Sequence, residues 1–171
     1  MDLFLDQLDS PIGTIVLISD GESLRVLDFV DCEERMQHLL KVHYGERPAV
    51  MSRESLPIKR RVEAYFAGEL TKVDEIPVRT EGTPFQKQVW AELRHIAAGT
   101  TLSYGGLAKR IGRPSASRAV GLANGSNPIA IVVPCHRVIG STGALTGYGG
   151  GLERKRWLLA HEGAQRALAT F

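Results

Sequence analysis

The sequence predicts an α+β fold built in two parts, and three observations support this prediction. Runs of apolar and β-branched residues separated by turn signals extend to Val30, helical apolar spacing follows from about Cys32, and capped helices dominate from Thr83 onward. The chain has 171 residues, of which 43% are hydrophobic and 23% are charged, as in ordinary globular proteins. We expect an N-terminal domain over residues 1–80 and a C-terminal domain over residues 81–171.

The N-terminal part is predicted to begin with a three-stranded meander. The runs LFLDQL, TIVLIS and SLRVLDFV are joined by turn signals at Ser10–Gly13 and Asp20–Gly21. Helices are predicted over about 32–43 and 56–66, where apolar residues return with helical spacing. The polar, proline-containing segment 71–82 is the predicted linker.

Three helices are predicted in the C-terminal part. The run TPFQ at residues 83–86 has the residue order of a capping box with proline at the first helical position. Ser103 is placed to cap a short helix that ends at Gly112, and another helix follows over about 115–125. The last two helices have the spacing of a helix-turn-helix, which many other helical hairpins share.

The helix over 115–125 carries one long polar side chain, Arg118, among Ala, Ser and Gly. A helix that reads base edges needs several Arg, Asn or Gln side chains, so this one reads little sequence. Two interpretations stay open. The small residues allow close approach to nucleic acid with Arg118 as a wedge, or they serve tight helix packing while Arg118 points to solvent.

Charge is distributed unevenly along the chain. Residues 1–85 hold 10 Lys/Arg and 16 Asp/Glu, whereas residues 86–171 hold 11 Lys/Arg and 3 Asp/Glu. A basic half favours a polyanion such as a nucleic-acid backbone, although a solvated basic face has the same composition. The apolar run 129–133 is too short to cross a bilayer and the acidic start lacks a signal-peptide n-region, so we expect a cytoplasmic protein.

The segment 127–140 carries a thiol and an imidazole directly after a β-branched run that ends at Pro134. Cys135 is either a small core residue or a nucleophile, since His136 and Arg137 add positive potential that favours the thiolate. Neighbouring side chains on an extended backbone point to opposite faces. A direct bond between His136 and Cys135 therefore needs a local turn or an intervening water.

The motif PCHRV, preceded by RAVGLANGSNPI and followed by TGYGGGLERKRWLLAHEG, closely resembles the O6-alkylguanine-DNA alkyltransferases over about 83–163. The resemblance implies a ribonuclease-H-like N-terminal domain followed by a winged-helix-like DNA-binding domain. It also implies irreversible, single-turnover transfer of an alkyl group from O6-alkylguanine in double-stranded DNA to a cysteine, after base flipping from the minor groove. O4-alkylthymine stays open as a second substrate. We expect no cofactor, no metal and a monomer in solution.

The resemblance implies roles for four catalytic residues. Cys135 resembles the acceptor, His136 resembles the base that acts through a water, and Glu162 resembles the carboxylate that orients this histidine. Asn127 resembles the hinge between the recognition helix and the active-site strand.

The resemblance also implies residues that contact the substrate and the DNA. Tyr104 resembles the residue that helps rotate the nucleotide and bonds the guanine ring, and Arg118 resembles the finger that fills the vacated stack. The further substrate-contacting and DNA-contacting positions are Ser103, Ala119, Ala123, Val138, Thr146, Tyr148 and Gly149.

Gly147 and Gly149 stand where relatives often carry larger residues, which predicts a roomier pocket that tolerates bulky adducts, unless turn geometry alone requires the glycines. Three other functions stay open. The first is a non-catalytic binder of alkylated DNA, which Cys135 disfavours. The second is a cysteine hydrolase with repeated turnover, and the third is a regulator that recognises one undamaged sequence.

Overall fold

The computed structural model describes residues 1–45 and 50–164. They form two compact units, the first consisting of Met1–Gly82 in its described part together with Pro128–Val132, and the second of the other described residues. Both helices and strands are present, which confirms the predicted α+β class. Within the described ranges, no helix is long and apolar enough to span a membrane.

The first unit is built on a four-stranded sheet in which the predicted meander forms three neighbouring antiparallel strands. Its strands are β1 (Leu3–Ser10), β2 (Gly13–Ser19), β3 (Leu24–Phe29) and β4 (Val50–Ser52), in the order β3-β2-β1-β4. The fourth strand pairs parallel with β1 and was not predicted. Three residues are too few to show an alternating pattern, so only pairing with β1 reveals this strand.

Two helices accompany this sheet. Helix α1 (Glu33–Tyr44) follows a short 3-10 turn, and α2 (Leu56–Phe66) has the predicted boundaries. Met36 and Leu40 of α1 pack into a buried cluster with apolar side chains of β1, β2 and β3. The amphipathic spacing that predicted α1 therefore points its apolar face at the sheet.

The segment 71–82 is a packed part of the first unit rather than a loose linker. Val73 and Ile76 are buried, and Val78 forms a parallel bridge with Leu24 of β3. The linker prediction was wrong because it relied on the polar residues and the proline, which are typical of loops. Val73 and Ile76 contribute more, since their burial, together with the bridge at Val78, anchors the segment.

The second unit contains four helices in the described chain. They are α3 (Pro84–Leu93), α4 (Tyr104–Arg110), α5 (Ser117–Gly125) and α6 (Leu152–His161). Thr83 and Gln86 form the predicted capping box, with hydrogen bonds of 3.1 and 3.0 Å, and Ser103 caps α4 through the Gly106 N–H at 2.9 Å. Strands β5 (Leu102–Ser103) and β6 (Val138–Ile139) pair in parallel.

The apolar run before the cysteine does not form a regular strand. Ile129 makes one isolated bridge with Leu27, and Ile131 has a φ of 70°. The Ala130 N–H still donates to the Leu27 carbonyl, but the positive φ of Ile131 turns the backbone away from extended geometry, and the Val132 N–H donates to the Ala130 carbonyl instead of a neighbouring strand. The predicted active-site strand is therefore a buried irregular segment.

Candidate active site

Helix α5 is held between α3 and α4 by specific contacts. The Trp90 indole N–H of α3 donates to the Ala123 carbonyl at 2.8 Å. On the α4 side, Gly121 lies against the Tyr104 ring, where an added Cβ would make ordinary van der Waals contact at 3.7 Å. The predicted helix-turn-helix pair is thus a packed unit.

The exposed face of α5 carries Arg118, Ala119, Leu122 and Gly125. The opposite face is buried and includes Ala123, which is 3% exposed. Arg118 and Ala119 are therefore accessible to a partner, as a DNA contact requires. Ala123 is not on that surface, because it faces the core beside Trp90.

Two buried asparagines connect the end of α5 to the cysteine segment. The Asn127 side-chain amide donates to the Val133 carbonyl at 2.7 Å. The Asn124 side-chain amide lies 3.4 Å from the Cys135 carbonyl and donates to it more weakly. The predicted hinge residue Asn127 thus has a fixed orientation, and the sequence reasoning missed Asn124, which approaches the same segment.

Cys135 begins a 3-10 turn over Cys135–Arg137. The turn bends the backbone where extended geometry would send neighbouring side chains to opposite faces. Cys135 is a thiol that keeps 7% of its surface exposed, whereas His136 is fully buried. The cysteine therefore lies at the boundary between the core and the surface, with the imidazole beneath that surface.

A buried ionic cluster surrounds Glu162. His136 Nε2 lies 2.8 Å from Glu162 Oε1, while Arg137 Nε and Nη2 donate to Oε2 and Oε1 at 2.9 and 2.8 Å. Arg137 Nη1 also donates to the Ile96 carbonyl at 2.6 Å. Bidentate pairing of this kind supplies the partners that a buried carboxylate needs. The sequence reasoning gave Arg137 a general electrostatic role and missed this contact.

The protonation states in this cluster follow from burial and from the neighbouring charges. Burial alone would raise the pKa of Glu162, but the charges and hydrogen bonds of His136 and Arg137 outweigh it and hold the pKa well below its usual range. For His136, burial lowers the pKa and outweighs the attraction of Glu162. Glu162 is therefore ionised and His136 neutral at pH 7. Since a carboxylate only accepts, Nε2 carries the imidazole hydrogen and Nδ1 presents a lone pair.

Gly99 makes room for the carboxylate segment. It has a φ of +84°, and a Cβ at this position would lie 2.9 Å from the Glu162 backbone carbonyl oxygen. Any larger residue would be strained in this conformation and would push against the residue that holds His136.

Thr146 lies in the loop between β6 and α6, and its carbonyl is contacted by Tyr104 and Lys155. The Tyr104 hydroxyl donates to the Thr146 carbonyl at 3.3 Å. The buried Lys155 ammonium donates to the Val138 and Thr146 carbonyls at 2.6 and 2.8 Å. Tyr148 is half-buried in the same loop.

Lys155 is the main residue that sequence reasoning missed. Burial lowers its pKa to about 8, and attraction to Cys135 offsets part of that shift. A signal was present in the sequence, because Lys155 stands three and four positions before Leu158 and Leu159 on the buried face of α6. A lysine is rarely buried unless its ammonium has partners, so a lysine in an apolar stripe indicates a specific contact.

The other predicted positions are distributed around this loop and strand. The Ser103 hydroxyl accepts the hydrogen bond that caps α4, and the Ser103 backbone pairs with Ile139 in the small sheet. Gly149 is exposed. In the described part of the chain, no group of three or more His, Cys, Asp or Glu residues is arranged to hold a metal ion.

Known proteins with similar sequence and structure match both units. Residues 84–164 match the DNA binding domain of 6-O-methylguanine DNA methyltransferase, and residues 5–80 match its ribonuclease-like domain. The methylated-DNA–protein-cysteine methyltransferase of Shigella flexneri is 47% identical over 164 residues, which cover 94% of this chain and 96% of that protein. The corresponding protein of Methanosarcina acetivorans is 48% identical over 156 residues, covering 91% and 96%.

Solved structures agree. The crystal structure of Mycobacterium tuberculosis OGT in complex with DNA matches with a TM-score of 0.81 and 42% identity, covering 96% of this chain and 94% of that one. Fold and site together define a DNA-repair protein that transfers an alkyl group to a cysteine. The chain belongs to the 6-O-methylguanine DNA methyltransferase family.

Proposed function

We propose that Cys135 is the acceptor of the alkyl group and that His136 is its base. The observation that carries this proposal is the orientation of the buried imidazole. Ionised Glu162 accepts from Nε2, and among the described residues no hydrogen-bond partner reaches Nδ1. A lone pair therefore remains available on Nδ1 in the same 3-10 turn that carries Cys135.

In the first step, the thiol proton of Cys135 passes to Nδ1 of His136 through a water. The imidazolium that forms is stabilised by the Glu162 carboxylate at 2.8 Å. This arrangement makes a thiolate without an exposed charge pair, as in other base-activated cysteines. The Lys155 ammonium favours the same ionisation, because its attraction to Cys135 works in both directions.

In the second step, the thiolate displaces guanine from the alkyl carbon. A sulfur–carbon bond forms, the carbon–O6 bond breaks, and its electron pair stays on the guanine oxygen. The Tyr104 hydroxyl, placed at the start of α4, is suited to exchange its 3.3 Å bond to the Thr146 carbonyl for a hydrogen bond to the flipped guanine. The proton held by His136 balances the charge of the departing base. A thioether has no good leaving group, so each molecule reacts once.

The proposed DNA surface is the exposed face of α5 in the minor groove of the duplex. The small residue Ala119 allows close approach, and Arg118 occupies the space left by the flipped nucleotide. Neither residue reads base edges extensively, which suits a protein whose target arises at any guanine. We propose that one copy of the chain is sufficient for this reaction.

The test is intact-mass measurement after incubation with a duplex that contains one O6-methylguanine. We expect the wild type to gain one methyl group per chain and the Cys135→Ser variant to gain none. The Cys32→Ser variant is the matched control and should gain one methyl group like the wild type. A methyl group retained by Cys135→Ser would assign another acceptor and refute the proposal.

Stoichiometry separates the remaining alternatives. Demethylated guanine should stop accumulating at one equivalent per protein. Continued turnover would indicate a hydrolase, and binding without any mass gain would indicate a non-catalytic binder.

A further inference from the structure

Helix α5 carries a large apolar side chain on the face proposed to meet DNA. Leu122 is 71% exposed and stands four residues after Arg118. The other exposed positions on this face, Ala119 and Gly125, are small. Leu122 therefore projects farther from the helix than these neighbours and belongs to no buried cluster in the described chain.

A single exposed leucine is common on protein surfaces and needs no explanation by itself. Leu122 differs from such residues because of its position relative to Arg118. Residues four apart share a helix face, so Leu122 lies directly below Arg118 as seen along α5. The opposite face, with Val120 and Ala123, is already buried within the second unit. Whatever covers Arg118 also covers Leu122.

The spacing along the helix fits the repeat of a duplex. Four residues advance about 6 Å along an α-helix. Base pairs are stacked about 3.4 Å apart, so for a helix axis aligned with the duplex axis this advance corresponds to about two base steps. The minor groove presents deoxyribose edges along its walls, and proteins that bind there insert leucine and other apolar side chains.

We propose that Leu122 is a second minor-groove contact, which packs its apolar side chain against the groove about two base steps from Arg118. This inference rests on the proposed DNA-binding face of α5. The contact adds affinity for any sequence, because an aliphatic group reads no donor or acceptor pattern. It releases no counterions, so it contributes equally at low and high salt.

The experiment measures binding to an undamaged fluorescent duplex by anisotropy, so that alkyl transfer does not interfere. We expect Leu122→Ala to weaken binding about tenfold, from the loss of roughly half the burial energy of a leucine. The slope of log Kd against log salt should match the wild type. In Arg118→Ala, by contrast, the slope should become shallower, because a positive charge is lost from the DNA-binding face.

Two further variants test the interpretation. Leu122→Met keeps an apolar side chain of similar reach and should bind within about twofold of the wild type. Val42→Ala, at a 60% exposed position of α1, removes a comparable surface hydrophobe elsewhere and should leave Kd unchanged. Melting temperatures check that every variant is folded.

An unchanged Kd in Leu122→Ala would overturn the inference. Tighter binding would also overturn it, since the leucine would then obstruct close approach of the helix. These outcomes differ from failure of the proposed function, in which the wild type itself would neither bind the duplex nor gain a methyl group.

Discussion

The buried ammonium of Lys155 predicts that alkyl transfer falls as the pH rises above neutrality. The Nζ atom donates to carbonyls of β6 and of the Thr146 loop, and its charge attracts Cys135. Losing the proton removes this attraction for the thiolate and weakens the anchor of the loop. The variants Lys155→Met and Lys155→Arg test this prediction against the wild type.

The magnitude follows from the pKa of about 8. About nine tenths of the ammonium is present at pH 7, half at pH 8 and about one tenth at pH 9. If the rate requires the charged form, the rate constant at pH 9 is about one tenth of its value on the neutral plateau. Stability should move in the opposite direction, because burial costs the charged form more than the neutral one.

The sign of the stability change follows from proton binding. Between pH 8 and 10.5, the unfolded chain holds a proton at Lys155 that the native chain has lost, so the free energy of unfolding rises with pH. The shift of the pKa from 10.5 to about 8 corresponds to about 3 kcal/mol over this interval. Deprotonation of Lys155 therefore stabilises the folded protein, and unfolding does not explain a loss of activity in this pH range.

The assay measures the rate constant with free O6-benzylguanine from pH 6 to 10, so that DNA binding does not enter, and urea unfolding at the same pH values. Lys155→Met should react more slowly than the wild type at pH 7 and show no titration near pH 8. Lys155→Arg should keep its charge throughout and lose the descending limb. Arg156→Met, at an exposed position of α6, is the matched control. A wild-type rate that stays level or rises between pH 8 and 10 would refute the reasoning.

Two other predictions concern the carboxylate and the loop glycine. Glu162→Gln should lower the free energy of unfolding by about 3–5 kcal/mol, because it leaves the Arg137 charge buried without its partner. Urea unfolding measures this loss, with exposed Glu153→Gln as the control. The difference in the free energy of unfolding between the wild type and Glu162→Gln should be full above 4.5, the ordinary pKa of a glutamate, and should shrink at lower pH. A difference that does not change with pH would contradict the argument. Gly149→Ser should slow transfer of benzyl relative to methyl by about tenfold if the loop provides space for bulky adducts. Equal benzyl-to-methyl rate ratios in the wild type and this variant would show that the glycine serves turn geometry alone.

Local signals made much of the fold predictable. The capping box at Thr83 and the Ser103 cap act within four residues, so the sequence shows both partners of each hydrogen bond. The boundaries of α2 were predicted from the helical spacing of its apolar residues and from Gly68, which are also local signals. The resemblance around PCHRV led to the correct family, because its residues are contiguous in the chain.

Elements that depend on distant partners were not predictable in this way. The β4 strand needs β1 to pair with, and 71–82 is ordered by burial of aliphatic side chains against its own unit. The run before Cys135 has strand-forming residues, but its backbone turns at Ile131 after a single bridge, so propensity alone gave the wrong structure there.

The sequence by itself determined the two-part α+β organisation, the basic C-terminal half and the residue types that the chemistry uses. Only the tertiary structure decided how those residues are charged. His136 and Arg137 meet Glu162 across 26 and 25 positions of the chain, and Lys155 reaches the Thr146 loop from α6. A pKa depends on burial and on the charges that folding brings near. The neutral imidazole, the ionised carboxylate and the lysine with a pKa of about 8 are therefore properties of the packed unit.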